Sequence, residues 1–122
     1  MPHARRRLGD RGEQLAVTFL RERGYTVLEQ NYRCPDGEVD LVCRDGNELA
    51  FIEVKTRRGT MFGVPEEAVT PAKLAHVVAA AGHYLSEHDL ESQAWRVDVV
   101  AIQLDTAGRL QEVRLIPNAA DW

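Results

Sequence analysis

The chain has 122 residues, 44% of them hydrophobic and 28% charged, with 15 Lys and Arg against 19 Asp and Glu for a formal net charge of −4. This length and composition predict one domain spanning residues 1–122, and they exclude a disordered, fibrous or disulfide-stapled protein. No run of about 18 apolar residues occurs and no signal peptide follows the basic N-terminus, so we expect a cytoplasmic protein without a membrane partner.

Seven elements are predicted in the order αβββαββ. Apolar residues at helical spacing predict a first helix that ends at Gly24, and Thr70 with Pro71 begins a second. The segment Asp45-Gly46-Asn47 is typical of a hairpin between two strands. The predicted ranges are helices over 9–23 and 71–87, strands over 25–32, 38–44, 49–56, 95–104 and 110–116, and a loop over 57–69. The strand–helix–strand segment favours a right-handed crossover and a mixed sheet, in an α/β or α+β fold with helices packed on the sheet.

Two acidic residues and a lysine are predicted to meet beside the hairpin. Glu53 and Lys55 lie on one face of the third predicted strand, and Asp40 lies on the second. A two-residue turn at Asp45-Gly46 would place Asp40 opposite Phe51 and diagonal to Glu53, and a four-residue loop would place it opposite Glu53. A three-residue loop would separate the acids unless a bulge restored the register. Carboxylates about 5 Å apart repel by roughly 3 kcal/mol, which Mg²⁺ or Mn²⁺ would relieve. The alternative is a solvated strand face on which Lys55 bridges the two acids.

Positive charge is concentrated in the first half of the chain. Residues 1–58 hold 11 Lys and Arg against 10 acids, whereas residues 59–122 hold 4 against 9. Such clusters are typical of a nucleic-acid surface, and the alternative is a solvated arm and strand end. Glu13 lies at the edge of the first helix's apolar stripe, so its side chain can extend over the sheet. The candidate nucleic-acid contacts are Arg5, Arg6, Arg7, Arg11, Arg57, Arg58 and Lys73.

Short motifs are spread in order along nearly the whole chain. They are Gly9-x-x-Gly12-Glu13, Asn31-x-Arg33, Gly37–Val42, Phe51–Arg57, Phe62-Gly63, Pro65–Val69, Arg96-Val-Asp98-Val-Val and Asn118-Ala119. Together they resemble the YraN-like family of uncharacterised bacterial proteins. That family in turn resembles the PD-(D/E)xK nuclease superfamily and, within it, the archaeal Holliday-junction resolvases.

This resemblance implies an α/β, restriction-endonuclease-like core and a Mg²⁺- or Mn²⁺-dependent DNA endonuclease, with branched or junction DNA as a substrate class. It implies Glu13, Asp40 and Glu53 as the acidic metal site. The Val54 carbonyl is then a further metal ligand, and Lys55 stabilises charge at the phosphate.

The superfamily's Pro-Asp pair is Val39-Asp40 in this chain, a departure that leaves the carboxylate in place. Because junction resolvases make two cuts, the resemblance also implies a homodimer. The alternative function is a nucleic-acid-binding or complex-forming protein that retains the nuclease fold without turnover.

Overall fold

The computed structural model describes residues 2–59 and 63–120, with side chains from residue 8 onward. These residues form α1 (Pro2–Glu22), β1 (Thr26–Cys34), β2 (Gly37–Asp45), β3 (Glu48–Arg58), a 3₁₀ helix (Pro65–Ala68), α2 (Pro71–Glu87), β4 (Trp95–Leu104) and β5 (Leu110–Ile116). The order confirms the predicted αβββαββ arrangement and the α/β fold class. Neither helix is long and apolar enough to cross a membrane, as far as the described residues extend.

Two predicted boundaries are wrong. The first helix begins at Pro2 rather than at residue 9, so Arg5, Arg6 and Arg7 belong to α1 and not to an arm. The Arg-rich start has no apolar stripe from which to predict a helix, although Ala and Arg favour helices and Pro is tolerated in the first turn. The predicted loop over 57–69 is also shorter, because β3 continues to Arg58 and a 3₁₀ helix begins at Pro65. Phe62 of the Phe62-Gly63 motif lies outside the described residues.

The sheet has five strands in the order β1-β2-β3-β4-β5. Only β3 and β4 are parallel, and α2 connects them as a crossover. Each helix covers one face of the sheet. Ala16 and Leu20 of α1 pack on Ile52, whereas Val77 of α2 packs on Phe51, so consecutive residues of β3 face opposite helices.

The sheet opens between β2 and β3. The hairpin turn is Gly46-Asn47 rather than the predicted Asp45-Gly46, since Asp45 pairs with Glu48. The register is the one expected of the four-residue loop, in which Asp40 lies opposite Glu53. Within the described residues the β2–β3 ladder stops at Leu41↔Ile52. Residues 37–39 remain paired with β1, and residues 53–58 remain paired with β4. The two strand pairs therefore diverge and leave a cleft, with Asp40 and Glu53 at its vertex.

Helix α1 approaches β3 most closely at Gly12. A Cβ atom at Gly12 would lie 1.8 Å from Thr56 Oγ1 and 3.0 Å from Thr56 Cβ, so only glycine fits without a shift. This contact holds the neighbouring Glu13 over the cleft. We expect Gly12→Ala to lower the free energy of unfolding by about 1–3 kcal/mol, because the clash outweighs the gain in helix propensity. Urea unfolding monitored by circular dichroism measures the change.

Gly82 on the opposite helix provides the matched control. It is a mid-helix glycine whose added Cβ would meet no atom within 4 Å. Gly82→Ala should therefore be neutral or stabilising by up to about 1 kcal/mol. Equal shifts in the two variants would show that the approach of α1 to Thr56 does not limit stability.

Candidate active site in the cleft between β2 and β3

Asp40 joins the two diverging strands through its side chain. Its Oδ2 accepts a hydrogen bond of 2.7 Å from the backbone N–H of Val54. If the β2–β3 ladder continued, a backbone carbonyl of β2 would accept this bond instead. A further hydrogen bond connects the carboxyl groups of Asp40 and Glu53. Because the N–H and C=O of one strand residue point to the same side, the Val54 carbonyl also faces the cleft. Three oxygen-bearing groups thus converge at the vertex.

A kink in β2 places these two acids at the junction of the two sheet faces. Val39 packs in the α2-side core and Leu41 in the α1-side core, so regular alternation ends at the residue between them. Asn31 stands across from this point on β1 with a φ of 55°, a conformation that Asn tolerates better than most residues. The prediction that Asp40 and Glu53 come within reach of each other is confirmed, at a point where the two carboxyls adjoin pockets on different sides of the sheet.

Each acid of the pair lines a different pocket. The α1-side pocket, of about 500 Å³, includes Glu13, Asp40, Lys55 and Arg57 in its wall. The α2-side pocket, of about 490 Å³, includes Glu53 and is described further below. The hydrogen-bonded carboxyls form the partition between the two pockets, so the cleft is open on both sides of the sheet.

Burial makes both carboxyls hard to ionise. It is the main cause that raises the pKa of Asp40 to about 6, and the charges of Glu13 and Glu38 add to the rise. Burial likewise raises the pKa of Glu53 to about 8, followed by the charge of Asp40, against the opposing effects of Lys73 and Lys55. Near neutral pH the pair therefore retains a proton that a bound cation would displace.

Glu13 lies at the wall of the α1-side pocket. Its Oε2 accepts a hydrogen bond of 3.4 Å from Asn31 Nδ2, and burial raises its pKa. Within residues 8–59 and 63–120, no three His, Cys, Asp or Glu side chains are close enough together to hold a metal ion. The structure thus joins Asp40 to Glu53 and keeps Glu13 close by as a separate acid.

The donors at the vertex fit a hard divalent cation. They are two carboxylates and a backbone carbonyl, the oxygen ligands that Mg²⁺ and Mn²⁺ prefer. The raised pKa of both carboxyls and their mutual repulsion indicate that Lys73 and Lys55 do not fully balance the negative charge of the pair. The residues that would hold such an ion are Asp40, Glu53 and the Val54 carbonyl, with Glu13 as a further ligand or support.

The predicted nucleic-acid contacts occupy different positions. Arg57 lines the α1-side pocket, and its buried Nε has no hydrogen-bond partner among the described residues. Lys73 lines the α2-side pocket. In contrast, Arg11 donates to the Gly108 carbonyl, and Arg58 Nε donates to the Thr106 carbonyl at 2.9 Å. These two arginines connect α1 and β3 to the turn before β5. The side chains of Arg5, Arg6 and Arg7 lie outside the described part of the chain.

Sequence reasoning gave no role to several residues at the cleft. Asn31 holds Glu13, and Glu38 contributes negative charge to both half-buried acids. Arg33 and His76 line the α2-side pocket. The Asn31-x-Arg33 motif was the available signal, because an Asn in a strand often marks a residue with positive φ.

The αβββαββ order, the five-stranded mixed sheet and its two helices together define a restriction-endonuclease-like core. The sequence profile of the uncharacterised protein family UPF0102 matches residues 12–102, and the chain belongs to this family. This finding confirms the predicted YraN-like resemblance.

Relatives of similar length align along most of the chain. A UPF0102 protein of Roseiflexus castenholzii is 44% identical over 122 residues, covering 99% of this chain and 98% of the relative. One of Caldicellulosiruptor saccharolyticus is 39% identical over 115 residues, covering 94% and 98%. One of Beutenbergia cavernae is 48% identical over 109 residues, covering 88% and 92%.

Proposed function

We propose that the protein is a Mg²⁺- or Mn²⁺-dependent DNA endonuclease that hydrolyses phosphodiester bonds in the cleft, with branched or junction DNA as its substrate. The observation that carries the proposal is the half-buried Asp40–Glu53 pair, which is held together where the β2–β3 ladder opens. A purely structural pair of this kind would cost stability without a compensating role. Lys55 lies two residues beyond Glu53 on β3, at the α1-side pocket.

Each residue of the cleft has a defined task in this proposal. The Val54 N–H fixes the orientation of the Asp40 carboxylate, and Asn31 fixes that of Glu13. Lys55 stabilises the charge that develops on the phosphate, and the guanidinium of Arg57, in the wall of the α1-side pocket, binds a non-bridging oxygen. A divalent ion, when bound, neutralises charge on the phosphodiester and promotes ionisation of an attacking water.

The test combines metal binding with cleavage. We expect isothermal titration with Mn²⁺ to detect binding in the wild type that disappears in Asp40→Asn and Glu53→Gln, since each removes an anionic ligand. Cleavage of a four-way junction, a flap and a linear duplex should fall to background in the same variants. Glu22→Gln, a change of an exposed acid at the end of α1, is the matched control and should behave as wild type.

The alternative of binding without turnover predicts a different combination of results. The protein would bind the branched DNA, but Mn²⁺ would produce no cleavage above that of Glu53→Gln. Equal and weak metal binding by the wild type and both variants would overturn the metal site itself.

The proposal also includes a cytoplasmic location and a homodimer. Cys34 and Cys43 are both free thiols, which suits a reducing compartment. Two subunits would supply the two active sites that paired cuts in a junction require. Sedimentation of the protein with and without junction DNA measures the number of subunits.

A further inference from the structure

The α2-side pocket is built by the end of the β1–β2 hairpin where it packs against α2. Gly37 makes this packing possible, because a Cβ there would lie 2.5 Å from the His76 carbonyl oxygen. On the same side, His76 Nδ1 lies 3.3 Å from the Asp36 carbonyl oxygen. The resulting pocket of about 490 Å³ is large enough for a small organic ligand.

Two cations approach this pocket from different elements. Arg33 extends from β1, within the Asn31-x-Arg33 motif, and Lys73 extends from the first turn of α2. The ion pair of Arg33 with Glu38 is 3.4 Å long, and its two side chains are 76% and 61% exposed. Such an exposed pair contributes little energy, so a phosphate could displace Glu38 from Arg33 at small cost.

The pocket also has an apolar side. Val77 is buried at its base, and Pro35 forms part of the hairpin wall. An apolar surface beside two cations suits a ligand that has both a flat hydrophobic part and an anionic part. A nucleotide, with its base and its phosphate, has this combination.

The pocket adjoins the candidate active site. Glu53 belongs to its wall, and the Glu53 carboxyl is hydrogen-bonded to Asp40 in the wall of the α1-side pocket. A polymer could therefore pass from one pocket to the other across the two carboxyls, whereas a small isolated substrate would need only one of them.

We propose that the α2-side pocket binds one nucleotide of the substrate strand, adjoining the phosphodiester held at Asp40 and Glu53. Arg33 and Lys73 bind its phosphate, and Pro35 with Val77 contacts its base. The inference rests on the proposed function in one respect, because the strand is the one that the endonuclease would cut. Binding to the pocket itself needs no metal and no cleavage.

The test uses NMR titrations in metal-free buffer with EDTA. The probes are dAMP, deoxyadenosine, inorganic phosphate and a single-stranded adenine hexanucleotide. We expect dAMP to shift the amide signals of residues 33, 34, 36, 37 and 73–77, with smaller shifts from deoxyadenosine or phosphate alone. The hexanucleotide should bind more tightly than dAMP, because it also reaches the α1-side pocket.

The variant for this test is Arg33→Ala combined with Lys73→Ala. Loss of two charge-assisted contacts should weaken hexanucleotide binding about tenfold. It should also reduce the log–log salt slope by about 0.7, the value for one phosphate contact in single strands, because both cations bind the same phosphate. Arg23→Ala with Arg109→Ala removes two exposed arginines that line neither pocket, and this matched control should bind as wild type.

The outcomes separate this inference from the proposed function. Unchanged hexanucleotide binding in the Arg33 and Lys73 variant, or shifts confined to the α1-side pocket, would overturn the inference whatever the metal titration shows. Binding of dAMP as tight as that of the hexanucleotide would also overturn it, since that result indicates a site for free nucleotides. A wild type that binds the hexanucleotide as expected but neither binds Mn²⁺ nor cuts DNA would overturn only the proposed endonuclease.

Discussion

Replacing Asp98 by Ala should lower the free energy of unfolding by about 3–5 kcal/mol, because it leaves a buried arginine short of a partner. Asp98 is 0% exposed and lies on β4, where both of its oxygens accept hydrogen bonds from Arg96 Nε, at 2.9 and 3.2 Å. Its Oδ1 also accepts the backbone N–H of Asn118 at 2.9 Å. The substitution therefore removes partners from two elements at once.

Arg96 extends this network to the far end of the sheet. Its guanidinium, with the side chain only 11% exposed, also donates to Asp45 at 3.0 Å, to Glu48 and to the Tyr25 hydroxyl at 2.7 Å. The network thus connects the hairpin of β2 and β3, the end of α1 and the segment after β5. Because Asp45 and Glu48 still pair with Arg96 in the variant, we expect a loss near 3 kcal/mol rather than 5.

Two further variants make the Asp98 measurement specific. Asp98→Asn keeps an oxygen for the Asn118 N–H and should cost less than Asp98→Ala. Arg109→Ala removes a pair with Asp105 in which the arginine is 81% exposed, and it should change stability by less than about 1 kcal/mol. Urea unfolding of all three variants gives the comparison. A loss below 1 kcal/mol in Asp98→Ala would show that the network does not hold the elements together.

The elements that were predicted accurately are those in which local chemistry and packing agree. Helix α2 starts at the Thr70 cap and Pro71, and β4 is a β-branched run buried along almost its whole length, so the observed bounds match the prediction. The start of α1 was missed because its arginines have no apolar period. The hydrogen bond from the Asn118 N–H to Asp98 depends on a contact between distant segments, which no local pattern predicts.

The chemical identity of the candidate site was predictable, but its shape was not. The residue types and the hairpin brought Asp40 close to Glu53 in the predicted sheet. The kink at Asp40 depends on Asn31, across the β1–β2 ladder, and on the Val54 N–H. Both contacts are between strands, so the hydrophobic pattern of a single strand does not predict them. The positions of the arginines were not predictable either. Charge alone does not distinguish Arg57, which lines the α1-side pocket, from Arg58, which donates to the Thr106 carbonyl.

The half-buried acid pair predicts that the metal-free protein loses stability as the pH rises. The pKa values of Asp40 and Glu53 are raised in the folded state, to about 6 and about 8, so the folded state binds more protons than the unfolded state between about pH 4 and pH 8. The stabilising protons are present at low pH and are lost as the pH rises through the folded-state values. We expect the free energy of unfolding to fall by roughly 5 kcal/mol from about pH 5 to about pH 8, most of it from Glu53.

Asp40→Asn tests the cause of this pH dependence. The Asn side-chain oxygen can still accept the Val54 N–H, while the negative charge beside Glu53 is removed. The metal-free variant should therefore be more stable than wild type at about pH 8, with a flatter pH profile. Asp36→Asn, at the exposed turn between β1 and β2, is the matched control and should keep the wild-type slope.

Mn²⁺ should reverse the loss, because it competes with the proton for the same oxygens. At a free concentration of about 100 times Kd the wild type should gain about 2.7 kcal/mol, and the gain should be larger near pH 8 than near pH 5. Asp40→Asn should show little gain at either pH. Thermal unfolding with and without Mn²⁺ gives these values. A wild type that becomes more stable from pH 5 to pH 8 without metal, or an Asp40→Asn variant less stable than wild type at pH 8, would mean that the two carboxyls do not repel each other and that Asp40 serves chiefly as the partner of Val54.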